Sequence, residues 1–232
     1  MSGIKSLLSA GLLFIGSLAT VQAASLPSIG IIGAGQMGGT LASLWSKSGY
    51  PVILSSRHPE ALKNQVAELG QQASAASVEQ TAQKASIIVL AVPYGALPSL
   101  AKIIDASVKG KVVLDVSNPY PGRDGQVANE ALKEGVGRYS AGLFPGAHLV
   151  RGFNSVAAYT LSSEAHRSGA KLAIPLAGDD KQALNVVSQL VEKAGFDPVI
   201  AGGLDKARLF QPGSSLFLSN LTRQQLKQQL GQ

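Results

Sequence analysis

Three glycines, Gly33, Gly35 and Gly38, follow directly on the apolar run Ile29–Ile32 in the spacing G-x-G-x-x-G. That spacing suits a chain that must hold a pyrophosphate. Gly33 permits a tight turn off a strand. A side chain on Gly35 would push a phosphate away from the backbone, and Gly38 lets the next helix pack close on the strand. The intervening Ala34, Gln36 and Met37 place their amides, with the positive end of the helix, toward an anion. About 20 residues past the glycines, a site for a free ribose 2′-hydroxyl carries Asp or Glu. This chain carries Ser55, Ser56 and Arg57 there. A carboxylate repels a 2′-phosphate, whereas two hydroxyls and a guanidinium attract one, and the flat guanidinium also stacks on adenine. These residue types point to the binding of NADP rather than NAD. The plainer alternatives are a glycine-rich turn without a ligand, and a solvated loop charge at Arg57. His58 reads as a solvent-exposed loop histidine.

Positioning such residues requires a strand before the turn, a helix after it and a second strand, here residues 51–54. The rest of the chain continues the alternation. Helices are expected over residues 59–69, with Pro at the first turn, and over 77–84, with Ser77 as cap and Glu79 in the first turn. The runs at 86–92 (SIIVLAV) and 111–116 (KVVLDV) are nearly all apolar, as strands buried on both faces of a parallel sheet are. A helix over 95–107 separates them. Residues 120–125 read as a Pro/Gly loop before a helix over 126–134. Strands follow at 148–152, 172–177 and 196–201, with a helix over 181–194 and a short one after Gly202 that carries Lys206 and Arg208. The expected class is α/β, a Rossmann-type doubly wound, mostly parallel sheet in one domain over 28–212 with a short C-terminal helical tail over 213–232. The tail leucines at 216, 218, 221, 226 and 230 read as a docking or dimer helix.

Ligands of such sheets bind at the carboxyl ends of the strands. The segments leaving each strand are the glycine turn, Ser55-Ser56-Arg57, Ala91-Val92-Pro93-Tyr94, Ser117-Asn118-Pro119 and Phe153-Asn154-Ser155. Pro93 and Tyr94 are candidate walls for a cofactor, and Asn118 and Asn154 candidate bonding partners for a nicotinamide amide or an acceptor. For each, an ordinary strand-to-loop turn is the plainer reading. His148 opens a strand, at the end away from that rim, and His166 lies in a polar segment.

The composition sets outer bounds. With 232 residues, 45% hydrophobic and 15% charged, the chain can build a packed core. The formal charge of +6 carries no marked Lys/Arg run, so it suits an anionic cofactor and not nucleic acid. The absence of cysteine excludes disulfides, thiolate metal sites and a cysteine nucleophile. Residues 1–23 have the pattern of a signal peptide: Lys5, an apolar stretch over 7–21, and the small-x-small Val21-Gln22-Ala23. Cleavage there implies a periplasmic or secreted protein. A retained anchor, or a downstream start that leaves the protein in the cytoplasm, are the other two accounts, and Met37 cannot be that start because it lies inside the glycine motif.

The motifs taken together resemble the deazaflavin-dependent NADP oxidoreductases, whose reducing partner is coenzyme F-420, and are similar to the oxidoreductase domain of the six-transmembrane metalloreductases. They are GIIGAGQMG, SSRHP, the AVP of residues 91–93, DVSNP at 115–119, LFPGAHLVRGFN at 143–154, AGDD at 177–180 and GGLDKAR at 202–208. The resemblance implies NADPH on the glycine turn and Ser56-Arg57, and a nicotinamide near Ala91, Val92, Pro93 and Asn118. It implies hydride exchange with a deazaflavin, flavin or related small-molecule acceptor, with no catalytic acid or metal needed. A non-catalytic NADP-binding module docking to a redox partner, such as a membrane protein, is the alternative, and a homodimer is a further expectation. Two features depart from the pattern: Gln211 stands where the family carries an acidic residue, and the leader is unusual for it.

Overall fold

The computed structural model describes residues 25–232, and the expected leader lies outside the described residues. The first βαβ unit forms as its sequence dictates. Strand β1 (Ile29–Ile32) is buried along its whole length. Helix α1 (Gln36–Lys47) turns Leu41, Ala42 and Trp45 into the core. Strand β2 (Val52–Ser55) then returns parallel to β1, with Ile32 opposite Ser55. Trp45 fixes the helix: its indole N–H donates to the Leu190 carbonyl at 2.9 Å, and its ring meets Phe153 edge-on. Burying a side chain of this size contributes about 3 kcal/mol.

The chain continues through a 3₁₀ turn (Pro59–Leu62), α2 (Lys63–Leu69), β3 (Ala73–Ala76), α3 (Val78–Lys84) and β4 (Ile87–Leu90). The single helix expected over 59–69 is therefore two short pieces. Strand β3, an Ala/Ser edge strand beside β2, has too little apolar character to declare itself in the sequence. A tight turn (Tyr94–Ala96) leads into α4 (Leu97–Val108) and β5 (Val112–Asp115). Helix α5 (Pro121–Glu134) starts at a proline and bends at Gly125, so the expected loop over 120–125 is the first turn of a kinked helix. Next come α6 (Val136–Leu143), β6 (His148–Arg151), α7 (Ala158–Glu164), β7 (Ala173–Gly178), α8 (Lys181–Lys193) and β8 (Asp197–Gly202). Helices α6 and α7 were not expected from the sequence. The first contains two glycines and the second is only seven residues, so packing rather than propensity makes them helical.

The eight strands lie in the order β3-β2-β1-β4-β5-β6-β7-β8. All neighbours are parallel except β6 and β7. The Rossmann-type reading holds, with one added feature: β7 and β8 run against the rest, so their carboxyl ends open on the opposite rim. One apolar layer packs α1, α7 and α8 on one face, and a second packs α3, α4 and α6 on the other. The tail is helical only over α9 (Arg223–Leu230), and Leu216 and Leu226 are buried in the second layer. Those two leucines are thus part of this domain's own core and cannot serve a docking helix.

Caps set where helices begin. Ser77 and Gln80 bond reciprocally at the start of α3: the Gln80 amide donates to the Ser77 hydroxyl at 3.2 Å, and the Ser77 amide donates to the Gln80 side-chain carbonyl at 3.4 Å. Replacing Ser77 by alanine is expected to lower stability by about 1 kcal/mol, read as a lower urea midpoint at unchanged slope.

Candidate dinucleotide site

The glycine turn has the backbone its residue types permit. Gly33 sits at φ +110°, and a methyl there would run into the Ala91 carbonyl. A methyl on Gly38 would run into the Gly33 carbonyl. Gly35 differs: a methyl on it meets nothing within 4 Å. The space it would fill is open, so an anion's oxygens could approach the turn there. Gly35 is also the cap residue of α1. It offers no side-chain cap, and no acid lies in the first turn. Helices α3, α8 and α9, by contrast, are capped by Ser77, Asp180 and Thr222. The first amides of α1, at Gln36, Met37 and Gly38, therefore have no side chain competing with a phosphate.

Beside the turn lies a cleft of about 590 Å³, within the range of small-molecule sites. Gly33, Ser56, Arg57, Val92 and Pro93, all expected from the sequence, line it. Arg57 is exposed and makes no hydrogen bond or ion pair among the described residues. The Ser56 hydroxyl accepts from the His58 amide at 3.0 Å, which leaves its proton for another acceptor. His58 is exposed and faces Glu60 at 3.4 Å. No carboxylate lines the cleft. A hydroxyl and a cation that is unpaired among the described residues, both lining such a cleft, match a 2′-phosphate, and the open space at Gly35 matches a pyrophosphate. The residues present therefore fit NADP(H).

The other expected residues are distributed around this cleft. Ala34, Gly35, Gln36 and Met37 form the turn and the entry of α1. Ser55 is fully buried at the end of β2, its hydroxyl without a partner. Ala91 packs its carbonyl against Gly33. Tyr94 does not wall the cleft. It is fully buried, its hydroxyl bonded to the Val136 carbonyl (3.1 Å) and Ser140 (2.8 Å). Burial, with Asp115 nearby, holds that phenol far above its ordinary range, so it stays protonated. Asn118 lies farther along the same rim, and its side chain is engaged with Asn154: Asn118 Nδ2 donates to the Asn154 carbonyl (2.7 Å) and Asn154 Nδ2 to Asn118 Oδ1 (3.1 Å). The two amides hold one another.

Sequence reasoning missed the apolar wall. Ser99, Leu100 and Ile103 recur at helical spacing along one side of α4, with Ala96 just before its first turn, and Val78 at the start of α3 lines the same cleft. The signal was Ile103, an isoleucine 49% exposed on an otherwise amphipathic helix. His148 lies on the far rim, 3.2 Å from Asp180, and His166 is exposed, so neither reaches the cleft. Arg138 bonds Asp179 (2.7 Å) and Asp205 (2.8 Å), so the AGDD and GGLDKAR motifs form a clamp among α6, the end of β7 and the turn after β8. No group of three or more His, Cys, Asp or Glu suited to a metal ion occurs among the described residues.

A parallel sheet with this turn and cleft defines a Rossmann-type dinucleotide-binding domain. Known proteins narrow that class. Residues 28–119 match the family model described as NADP oxidoreductase coenzyme F420-dependent. Metalloreductase STEAP3 of Rattus norvegicus is 31% identical over 195 residues, covering 83% of this chain and 37% of that protein. The F420-dependent NADP reductase of Methanothermobacter marburgensis is 26% identical over 203 residues, 81% of this chain and 88% of that one. A hypothetical protein from Sinorhizobium meliloti, known from its crystal structure, superposes with a TM-score of 0.72 at 28% identity, covering 86% of this chain and 97% of that one. The chain is thus similar to NADP-dependent oxidoreductases, as its motifs led one to expect, and it spans about a third of the length of the metalloreductase it matches.

Proposed function

We propose that the protein binds NADPH along the rim formed by β1, β2, β4 and β5 and passes hydride between the nicotinamide and a deazaflavin, flavin or related small-molecule acceptor. The observation that carries this reading is Arg57: a cation, unpaired among the described residues, that lines a cleft without a carboxylate. The glycine turn receives the pyrophosphate, Ser56 and Arg57 the 2′-phosphate, and the apolar side of α4 the adenosine. Val92 and Pro93 continue the wall toward the corner at Asn118. When bound, the dinucleotide supplies the hydride itself, and the protein's part is to hold two flat groups together and keep water out. That division of labour accords with a cleft in which Arg57 is the only ionisable lining residue among the described residues.

The same observation favours a second reading, a non-catalytic NADP-binding module that docks to a redox partner. Rapid-mixing oxidation of bound NADPH, with riboflavin, 5-deazariboflavin and ferric citrate offered in turn, separates the two. Turnover on any of them establishes the enzyme, and tight binding with no turnover on all three establishes the module.

Arg57→Ala is expected to weaken NADPH by about 1.5–3 kcal/mol, the contribution of a hydrogen bond to a charged group, and to leave NADH nearly unchanged. Titration calorimetry with both nucleotides checks it. Equal weakening of the two would remove the case for a 2′-phosphate at this corner.

A further inference from the structure

The sheet holds an ion pair that the proposed reaction does not use. Asp115 and Arg151 end β5 and β6, stand opposite one another in register and are both fully buried. Arg151 Nη1 donates to Asp115 Oδ2 at 2.6 Å. A sealed ion pair is weak evidence for stability, because desolvation offsets most of the attraction. Its placement suggests another role.

Both partners grip the residue that begins the next corner. The second oxygen of Asp115 accepts from the Ser117 amide (2.9 Å) and hydroxyl (2.5 Å), and Arg151 Nη2 donates to the Ser117 carbonyl (2.7 Å). The neighbouring Asn118 is held in turn. Its carbonyl accepts from Arg123 at 2.9 Å, and its side chain clasps Asn154, which also donates to the Phe210 carbonyl at 3.0 Å. Phe153, one residue before Asn154, adopts φ +59° with its ring buried beside Trp45 and Phe196. A bulky side chain visits that region rarely and persists there only where its surroundings over-determine it. Every polar group of Ser117, and both the carbonyl and side chain of Asn118, are thus fixed by neighbouring protein groups. The adenosine cleft shares none of these bonds.

We propose that the buried Asp115–Arg151 pair is a positioning device that holds the Ser117–Asn118 corner as a rigid wall for the nicotinamide end of the dinucleotide. This rests on the NADP reading above.

The test is the double substitution Asp115→Leu with Arg151→Met, which removes both charges together and is compatible with folding. Two ligands are compared by calorimetry: NADP⁺ and 2′-phospho-ADP-ribose, which lacks the nicotinamide. The variant is expected to bind the fragment as the unaltered protein does, to lose at least fivefold in NADP⁺ affinity, and to oxidise NADPH at least tenfold more slowly with riboflavin. If the double variant does not fold, Asn154→Ala, which removes the bonds from the Asn154 amide to Asn118 Oδ1 and the Phe210 carbonyl and leaves the pair intact, is put through the same comparison, with losses in the same direction expected. A folded variant that keeps the full preference for NADP⁺ over the fragment overturns the proposal, as does an unaltered protein that binds both ligands equally. An unaltered protein that binds neither ligand sinks the NADP reading itself and this inference with it.

Discussion

Gly35→Ala is expected to leave the fold intact and to remove the nucleotide, whereas Gly38→Ala damages the fold itself. The two positions lie three residues apart in one motif, and the structure gives them different neighbours. A methyl on Gly38 runs into the Gly33 carbonyl and stands 3.2 Å from Ile31. The obstacle is backbone at the end of a buried strand, so it cannot swing aside. Alanine's better helix propensity returns at most about 1 kcal/mol. Overpacking of this kind removes about 3 kcal/mol, so the clash outweighs the propensity and the urea midpoint falls. At Gly35 the backbone is extended, φ −71° and ψ −171°, which alanine adopts freely, and no protein atom is near. Stability should stay within about 0.5 kcal/mol. The methyl would occupy the open space beside the turn, so NADPH affinity is expected to fall tenfold or more, about 1.4 kcal/mol. Unfolding and calorimetry on the two variants check both halves. If Gly35→Ala binds NADPH as tightly as the unaltered protein, the pyrophosphate does not sit on this turn.

What the sequence revealed and what it hid divide along the range of the interactions. The glycine turn, the Ser77 cap and the Ser56-Arg57 loop depend on residues within a few positions of one another; the turn and the cap form as their residue types dictate, and Ser56 and Arg57 line the cleft beside them. The strand direction of β7 depends on a partner, β6, and nothing in residues 172–177 encodes it. The reversal decides which motifs face the cleft: it sends Asp179 and Asp180 to the far rim, where they pair with Arg138 and His148. Tyr94 leaves the strand end as Pro93 does, yet it turns inward because Val136 and Ser140 of a later helix supply partners for its hydroxyl. Asn118 and Asn154 were both candidates to face a ligand, beside the reading of an ordinary strand-to-loop turn. Their engagement with each other joins the ends of two neighbouring strands, and 36 residues separate them in the chain. The wall on α4 was legible in principle, since Ser99, Leu100 and Ile103 recur at helical spacing, but an apolar stripe acquires meaning only once Arg57 is seen to line the same cleft.

The Asp115–Arg151 pair yields the other large effect, and it concerns stability. Replacing Arg151 alone by methionine leaves the Asp115 carboxylate, fully buried, without its cation, and also releases the Ser117 carbonyl. The Asp115 carboxylate keeps only the Ser117 amide and hydroxyl as donors, both on one oxygen. Breaking a buried pair from one side typically removes about 3–5 kcal/mol, because the remaining charge is uncompensated. A domain whose total stability is about 5–15 kcal/mol then stands close to unfolding. The double substitution with Asp115→Leu removes both charges and should recover most of that loss, since neither apolar replacement leaves a buried charge without its partner. Chemical unfolding of the single and double variants is the measurement, and the expected order is unaltered protein, then double, then single. A single variant as stable as the unaltered protein would mean that water reaches Asp115, and a pair in contact with water could not hold the Ser117–Asn118 corner rigid. A double variant no more stable than the single would show instead that the hydrogen bonds to Ser117, rather than the charges, support that corner.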